Sequence, residues 1–340
     1  MTSSTSLSVD KRRELGAFDT VGNPFTLEPF VDWLSDAGIN DPILEPFAGN
    51  GAIPRLMELA NHNVKWASYD LEPRDEHVTK QDTLREFPTG FRVVISNPPY
   101  LSYHFAKRKG VAVSRADFKG YPSLYLVAIE QCLKNCEYVA LIVPDSFITS
   151  GLHRERLSDV ASLSTLTMFA ETTMPTCLAL WKPSTSRTRY WLAEKCLGNL
   201  NDLQQPVQHD KLVAKRISFN ELDGNLGLWA IDGTSGPSIR FCMPSEIPED
   251  KIKHSARLVS RIMVRGLSSS DATKLIEAAN RRLSEWRNLT GDALLTAFKG
   301  PRDDGRFRRR IDFKNARAIL ASALADVEDN PVSQIRLKLD

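Results

Sequence analysis

Residues 91–100 read FRVVISNPPY, an apolar run that ends in an asparagine, two prolines and a tyrosine. The apolar run predicts a buried strand. The prolines have φ fixed at about −65° and lack N–H groups, so the turn after the strand is stiff and carries unpaired carbonyl oxygens. Asn97 adds a side-chain acceptor and Tyr100 a flat aromatic face. Together these groups suit a planar ring that carries an amino group; the alternative is an ordinary proline-rich turn covered by an aromatic side chain.

Apolar segments of strand length alternate with helical segments around this stretch. The alternation predicts an α/β fold with a Rossmann-like, doubly wound and mostly parallel sheet. The predicted helices are residues 27–37, 53–60 and 123–133. The predicted strands are residues 42–45, 64–69, 91–96, 138–143, 165–169 and 177–181.

The pattern changes after residue 183. Short runs separated by Asp-Gly, Gly-Asn and Ser-Gly-Pro turns occupy residues 190–265 and include a predicted hairpin at residues 226–243. From about residue 270 the spacing of Ala, Leu and Ile is helical. The predicted boundaries are residues 1–14 for a flexible arm, 15–183 for the first domain and 184–340 for a smaller C-terminal domain of mixed β and helical structure.

The composition is that of an ordinary soluble protein. Of the 340 residues 42% are hydrophobic and 25% are charged, and the net charge of +2 says little about partners. No stretch approaches the roughly 20 apolar residues that span a bilayer. The five cysteines form no CxxC pair and no metal-binding pattern. We therefore expect a cytoplasmic protein with reduced thiols and no metal.

Positive charge clusters late in the chain. Residues 299–317 read KGPRDDGRFRRRIDFKNAR. Arg308, Arg309 and Arg310 lie at the centre of this run and are candidate contacts for nucleic-acid phosphates. A solvated helix face is an equally good interpretation of the same residues.

Acidic residues follow three predicted strands. Residues 43–51 read ILEPFAGNG, a strand that ends in an acid and leads into a G-x-G turn. Asp70 lies 25 residues after Glu45 and ends the next strand, where a carboxylate commonly binds ribose hydroxyls. Asp82 follows a further short segment and could accept from an adenine amino group. A single such acid is usually a solvated carboxylate, but three at one sheet edge indicate a nucleoside site.

Two other nucleotide classes fit the first loop poorly. The 43–51 loop has no Lys or Arg and no G-K-[ST] sequence, which disfavours a nucleoside triphosphate. It also lacks the third glycine of G-x-G-x-x-G, which disfavours an NAD enzyme.

At these positions the chain resembles the amino-methyltransferases that use S-adenosylmethionine, specifically the gamma class of DNA adenine-N6 methyltransferases. The resemblance runs in order through about the first 180 residues. It implies that Asn97, Pro98, Pro99 and Tyr100 form the catalytic motif, and that Phe169 stacks on the target base with Tyr100. The residues that it assigns to the cofactor are Thr26, Glu45, Pro46, Phe47, Ala48, Gly49, Gly51, Asp70 and Asp82.

The resemblance also implies a reaction and partners. A methyl group passes from S-adenosylmethionine to the N6 amine of an adenine flipped out of double-stranded DNA, and residues 184–340 hold the position of a target-recognition domain. The sequence leaves open whether a cognate restriction endonuclease is a partner, and it leaves the oligomeric state open.

Two kinds of alternative function remain: methyl transfer to a different acceptor, and a protein without catalytic activity. The same motif serves enzymes that methylate ribosomal or transfer RNA bases, cytosine N4 or protein glutamine. The glutamine enzymes typically carry a helical domain before the cofactor fold, whereas here the additional residues follow it. A non-catalytic protein is disfavoured because the cofactor acids and Asn97 are all present.

Overall fold

The computed structural model describes residues 18–164, 166–170, 172, 174–204, 210–252 and 256–328. The predicted arm at residues 1–14 lies outside them. The chain divides into two compact units between Leu200 and Asn201. Among the described residues, every helix is too short or too polar to cross a lipid bilayer.

A nine-stranded sheet of described residues forms the centre of the first unit. Its strands are β1 (Ile43–Glu45), β2 (Trp66–Asp70), β3 (Thr79–Lys80), β4 (Val93–Ser96), β5 (Tyr138–Pro144), β6 (Leu157–Ser162), β7 (Thr176–Trp181), β8 (Arg189–Leu192) and β9 (Lys195–Asn199). Their order across the sheet is β3-β2-β1-β4-β5-β7-β6-β8-β9. Neighbours from β3 to β5 are parallel, whereas β7 runs antiparallel to β5 and β6. The predicted mostly parallel α/β fold is confirmed.

Helices connect the strands of this sheet. Every residue of β4 and β5 is buried, as expected of apolar strands in a sheet that is covered on both faces. The connecting helices are α1 (Glu28–Ala37), α2 (Ala52–Leu59), α3 (Tyr103–Lys109), α4 (Leu124–Asn135) and α5 (Ser146–Ser150).

One predicted strand is wrong. The sequence predicts a strand at residues 165–169, but the strand of that region is β6, which ends at Ser162. The polar residues of β6 hide it from a pattern search. Asp159 is 1% exposed and accepts hydrogen bonds from Arg189 Nε (2.7 Å) and Trp191 Nε1 (2.9 Å) on β8. These long-range partners allow a carboxylate to be buried inside a strand.

The first unit also extends further than predicted. The sequence places a boundary after residue 183, but β8 pairs in parallel with β6, and β9 pairs with β8. The sheet therefore continues to Asn199, and the structure divides the chain after Leu200.

The second unit mixes strands and helices, as predicted. Its described elements are α6 (Leu200–Gln204), α7 (Lys211–Ala214), β10 (Ile217–Phe219), β11 (Leu226–Trp229), β12 (Arg240–Cys242), β13 (Val259–Val264), α8 (Ser269–Thr290), β14 (Thr296–Pro301), β15 (Phe307–Arg310) and α9 (Phe313–Glu328). Strands β10 to β13 form an antiparallel sheet in the order β10-β13-β11-β12, and β11 with β12 is the hairpin expected at residues 226–243. The β14–β15 pair between the two long helices was not predicted.

A buried ion-pair network lies inside the second unit. Asp232 is fully buried and accepts two hydrogen bonds from the Arg287 guanidinium, both 2.9 Å long. Arg302 Nη1 donates to the same carboxylate over 3.2 Å. Arg287 also donates to both carboxylate oxygens of Asp292, over 2.6 and 2.9 Å. These buried charges are thus paired with one another in bidentate geometry.

Candidate active site

A cavity of about 700 Å³ lies at the carboxyl ends of β1, β2 and β4. This edge of an open α/β sheet is where ligands usually bind. The acids that end β1 and β2 and the asparagine that follows β4 all line it, so the fold brings together residues far apart in sequence. The predicted site residues in its lining are Glu45, Phe47, Ala48, Gly49, Asp70, Asp82, Asn97 and Pro99.

The G-x-G turn and Asp70 form one hydrogen-bonded structure. Gly49 and Gly51 have φ values of +55° and +68°, in the left-handed region that favours glycine. One carboxylate oxygen of Asp70 accepts from the Gly49 N–H and the other from the Glu72 N–H, each over 2.8 Å. Asp70 therefore holds the turn that follows β1 against the end of β2.

Glu45 is a buried acid in the cavity wall. It is 1% exposed and accepts a hydrogen bond of 3.3 Å from the Ser68 hydroxyl. Burial raises the pKa of Glu45 well above its usual value. A carboxylate in this environment suits a ligand that brings a hydroxyl or a positive charge.

The Asn97 amide is held in one orientation. Its Nδ2 donates to the Phe18 carbonyl oxygen (3.1 Å) and to Thr20 Oγ1 (3.0 Å). Its Oδ1 is buried and has no hydrogen-bond partner among the residues that the structure describes. Leaving a buried acceptor unpaired costs about 1–3 kcal/mol. The site therefore offers a fixed acceptor that a ligand N–H would satisfy.

The two predicted stacking residues lie in an aromatic cluster. Tyr100 and Phe169 are 8% and 2% exposed, and their ring centroids are 6.0 Å apart. Phe18 contacts both, at 5.8 and 5.6 Å, and is the member of the cluster that lines the cavity. The Tyr100 hydroxyl donates to the Ile142 carbonyl oxygen over 2.8 Å. In this structure both predicted rings are buried, and their stacking on a base stays a prediction.

The segment before α1 contributes residues that sequence reasoning missed. Thr26, the predicted cofactor contact, is exposed, whereas Thr20 lines the cavity. Asp19 also lines the cavity and accepts a hydrogen bond of 2.9 Å from Arg74 Nη1. The sequence alone does not show which of the two threonines lines the cavity. That depends on the fold, which brings Thr20 to the end of β4.

Other predicted site residues lie beside the cavity. The Pro46 carbonyl oxygen accepts a hydrogen bond of 2.6 Å from the Thr83 hydroxyl. Pro98 is buried between Asn97 and Pro99. Gly51 is the residue before α2.

The predicted phosphate contacts lie in β15. Arg309 is 4% exposed, and its guanidinium donates to the Leu295 carbonyl oxygen over 3.2 Å. Arg308 Nε donates to the Asp232 carbonyl oxygen over 2.8 Å, and Arg310 is partly buried. Arg309 in particular is committed to the interior of its unit, which disfavours the predicted contact with DNA.

Residues 45–173 match the family model described as the Eco57I restriction-modification methylase. The matched segment runs from the acid that ends β1 through the Asn97 motif to the aromatic cluster. It confirms the predicted resemblance to gamma-class DNA methyltransferases, and with it S-adenosylmethionine as the cofactor. A search of curated proteins finds no significant match.

Several solved structures are similar to parts of the chain. The methyltransferase subunit of a type I restriction-modification system from Streptococcus thermophilus is 14% identical, with a TM-score of 0.36 over 51% of this chain and 48% of that subunit. A chain of the DrdV–DNA complex is 14% identical, with a TM-score of 0.37 over 57% of this chain and 29% of that one. The M protein of the type I restriction enzyme EcoKI is 11% identical, with a TM-score of 0.32 over 88% of this chain and 69% of that protein. This chain spans less than two thirds of the length of the first two.

Proposed function

Because residues 45–173 match a restriction-modification methylase, we propose that this chain transfers a methyl group from S-adenosylmethionine to the N6 amine of an adenine in DNA. The target base leaves the duplex to enter the cavity, at a cost of a few kcal/mol. The observation that carries the proposal is the buried, unpaired Oδ1 of Asn97 in the wall of that cavity.

The acceptor geometry suits an exocyclic amine. The nitrogen of such an amine is a poor nucleophile, because its lone pair is delocalised into the ring. Hydrogen bonds from both amino hydrogens favour the pyramidal, nucleophilic form. Asn97 Oδ1 and the Pro98 carbonyl oxygen are the two acceptors that we assign to this task. The amide is already oriented by its own donors and the proline φ angles are fixed, so little reorganisation is needed.

The residues around the G-x-G turn fit the proposed cofactor. We assign the ribose hydroxyls to Asp70, the adenine amine to Asp82, and the positively charged methionine end to Glu45. The turn itself lacks Lys and Arg, which agrees with a ligand that carries no phosphate. When bound, S-adenosylmethionine supplies a methyl group on a sulfonium sulfur.

The acceptor is tested directly with labelled cofactor. We expect wild-type protein incubated with radiolabelled S-adenosylmethionine and duplex DNA to produce labelled N6-methyladenine after digestion to nucleosides. Parallel incubations replace the DNA with ribosomal RNA, transfer RNA or protein, and so test the alternative acceptors. Label in cytosine, RNA or glutamine, with none in DNA adenine, would show that the proposed acceptor is wrong.

The role of Asn97 is tested by substitution. Asn97→Ala removes the acceptor, so we expect kcat to fall by at least about 100-fold, as when one preorganised hydrogen-bonding group is lost. The Kd for S-adenosylmethionine, measured by calorimetry, stays within a few-fold. Asn40→Ala changes an exposed asparagine and serves as the control. Near wild-type turnover in Asn97→Ala would exclude the mechanism.

We also propose that double-stranded DNA is the macromolecular partner and that the second unit takes part in reading the target sequence. A cognate restriction endonuclease is the further partner that a restriction-modification methylase suggests. Both statements rest on the family match and on the position of residues 201–340 after the catalytic unit.

A further inference from the structure

A strongly basic segment lies between the catalytic motif and α4. Residues 103–119, here called the basic segment, read YHFAKRKGVAVSRADFK. They contain five Lys or Arg and one Asp, a net charge of +4 with histidine neutral, whereas the whole chain has a net charge of only +2. These 17 residues are thus a local concentration of positive charge, and they begin three residues after Tyr100 of the Asn97 motif.

The basic segment is firmly attached to the first unit. Ser102 and Ser123 form an isolated bridge that brings its two ends together, and the Tyr103 N–H donates to the Pro122 carbonyl oxygen over 3.0 Å. Ala106 and Phe118 are fully buried and pack in one cluster with the flanking leucines. This packing gives the charged side chains a defined place on the catalytic unit.

The same segment forms part of the cavity wall. Val111, Val113 and Lys119 line the cavity that Asn97 lines. Asp117, the one acid of the segment, accepts a hydrogen bond from the Ser114 N–H (2.7 Å) and lies 3.5 Å from Arg85. The acid is therefore committed to local contacts.

The cations at the end of α3 face solvent. Lys107, Arg108 and Lys109 are all exposed. Cations near a helix C-terminus also stabilise its dipole, by about 0.3–1 kcal/mol. Because all three side chains are exposed, their charges also remain available to an anion from solution.

We propose that the basic segment binds the phosphate backbone of duplex DNA next to the base that enters the cavity. The inference rests on the proposed function and deepens it, because it assigns backbone contacts to the catalytic unit. Phosphate contacts fix the position and register of a protein on DNA without reading sequence. This position would hold the duplex where Asn97 can reach an extruded base, a task for which Arg309 is too buried.

The test is the salt dependence of DNA binding. The variant Lys107→Gln/Arg108→Gln/Lys109→Gln and wild type are titrated against a fluorescein-labelled duplex by anisotropy at several NaCl concentrations. Each lost phosphate contact reduces the slope of log Kd against log salt concentration by about 0.9. We therefore expect a reduction of about 2–3, with kcat at saturating DNA within a few-fold of wild type.

A matched variant removes three charges elsewhere on the same unit. Lys65→Gln/Lys134→Gln/Lys195→Gln changes three exposed lysines outside the basic segment, and we expect its slope to equal that of wild type. Melting temperature and cofactor affinity are measured for both triple variants. Equal slopes for the two variants would overturn the inference, as would a reduced slope on duplex RNA but not on DNA.

The two proposals fail in different ways. Wild-type methylation of DNA combined with an unchanged slope in the α3 variant would overturn the inference alone. Wild-type protein that neither binds nor methylates duplex DNA would overturn the proposed function as well.

Discussion

At the scale of single residues, what the site can bind depends on which polar atoms already have hydrogen-bond partners within the protein. The sequence predicts Asn97 and the acids Glu45, Asp70 and Asp82, and the structure brings them to one cavity. The sequence does not reveal that Phe18 and Thr20 hold the Asn97 amide. Such a contact joins residues 77 positions apart, and no local pattern encodes it.

Thr20 is a positioning residue for Asn97 in this interpretation. Thr20→Val removes one acceptor from Asn97 Nδ2, and we expect the single-turnover methylation rate to fall about 2–10-fold, as for a neutral hydrogen bond. Thr20→Ser retains the hydroxyl and restores the rate. A purely structural role would lower the melting temperature of both variants and would leave the rate of folded Thr20→Val unchanged.

The burial of Glu45 has a consequence for stability, and its proposed role in cofactor binding gives a second prediction. Burial raises its pKa, so the folded protein favours the protonated form, and its contribution to stability decreases as pH rises. We expect Glu45→Gln to melt above wild type at pH 8, and the difference to vanish as pH falls towards the ordinary glutamate pKa of 4.5. At pH 8 the same variant binds S-adenosylmethionine about 10–100-fold more weakly, because a charge-assisted hydrogen bond is lost.

The control for this prediction is Glu58→Gln, which changes an exposed acid on α2. Scanning calorimetry across the pH range measures both variants. A melting difference for Glu45→Gln that does not depend on pH would contradict the assigned cause.

At the scale of elements, continuous apolar runs were predictable and polar buried strands were not. The sequence prediction of β1, β2, β4, β5 and β7 falls within two residues of the observed bounds. Strand β6 carries Ser158, Asp159 and Ser162 yet is buried throughout, because partners on neighbouring strands satisfy several of these groups. Those partners are distant in sequence, so a periodicity search places the strand too late and ends the sheet too early.

Asp159 tests this explanation for β6. Asp159→Ala leaves Arg189 and Trp191 without their shared acceptor, and we expect the free energy of unfolding to fall by about 2–3 kcal/mol. Urea denaturation measures the change. Asp41→Ala, at an exposed position, is the control and changes stability by less than about 0.5 kcal/mol.

At the scale of the whole molecule, the cavity that Asn97 lines and the buried ion-pair network belong to different units. Every described residue in the cavity lining lies between residues 18 and 124. The network around Asp232 and Arg287 lies in the second unit. The two features can therefore be perturbed separately.

Arg287→Leu leaves the Asp232 charge buried with fewer partners. We expect it to destabilise the second unit by about 3–5 kcal/mol, measured by hydrogen exchange resolved to its peptides. Burial opposes ionisation of Asp232, but hydrogen bonds from Arg287 and backbone amides outweigh it and lower its pKa below 3.8. The ion pair thus contributes its full stabilisation above pH 3.8 and is lost as pH falls through the lowered pKa of Asp232, so wild type and variant converge in acid.

Cofactor affinity is the second readout for Arg287→Leu. We expect its Kd for S-adenosylmethionine to match wild type at temperatures where the variant is folded. A large loss of affinity would show that the network matters beyond its own unit.

The two borders of the nine-stranded sheet have a consequence for solubility. One border is β3, a strand of two exposed residues that ends in Lys80, and the other is β9, a partly exposed strand that begins with Lys195. Unpaired backbone groups at such borders can recruit strands from other chains, and short length and lysine both discourage this. The short β3 and the lysines of both edge strands therefore disfavour aggregation of this nine-stranded sheet through its edges.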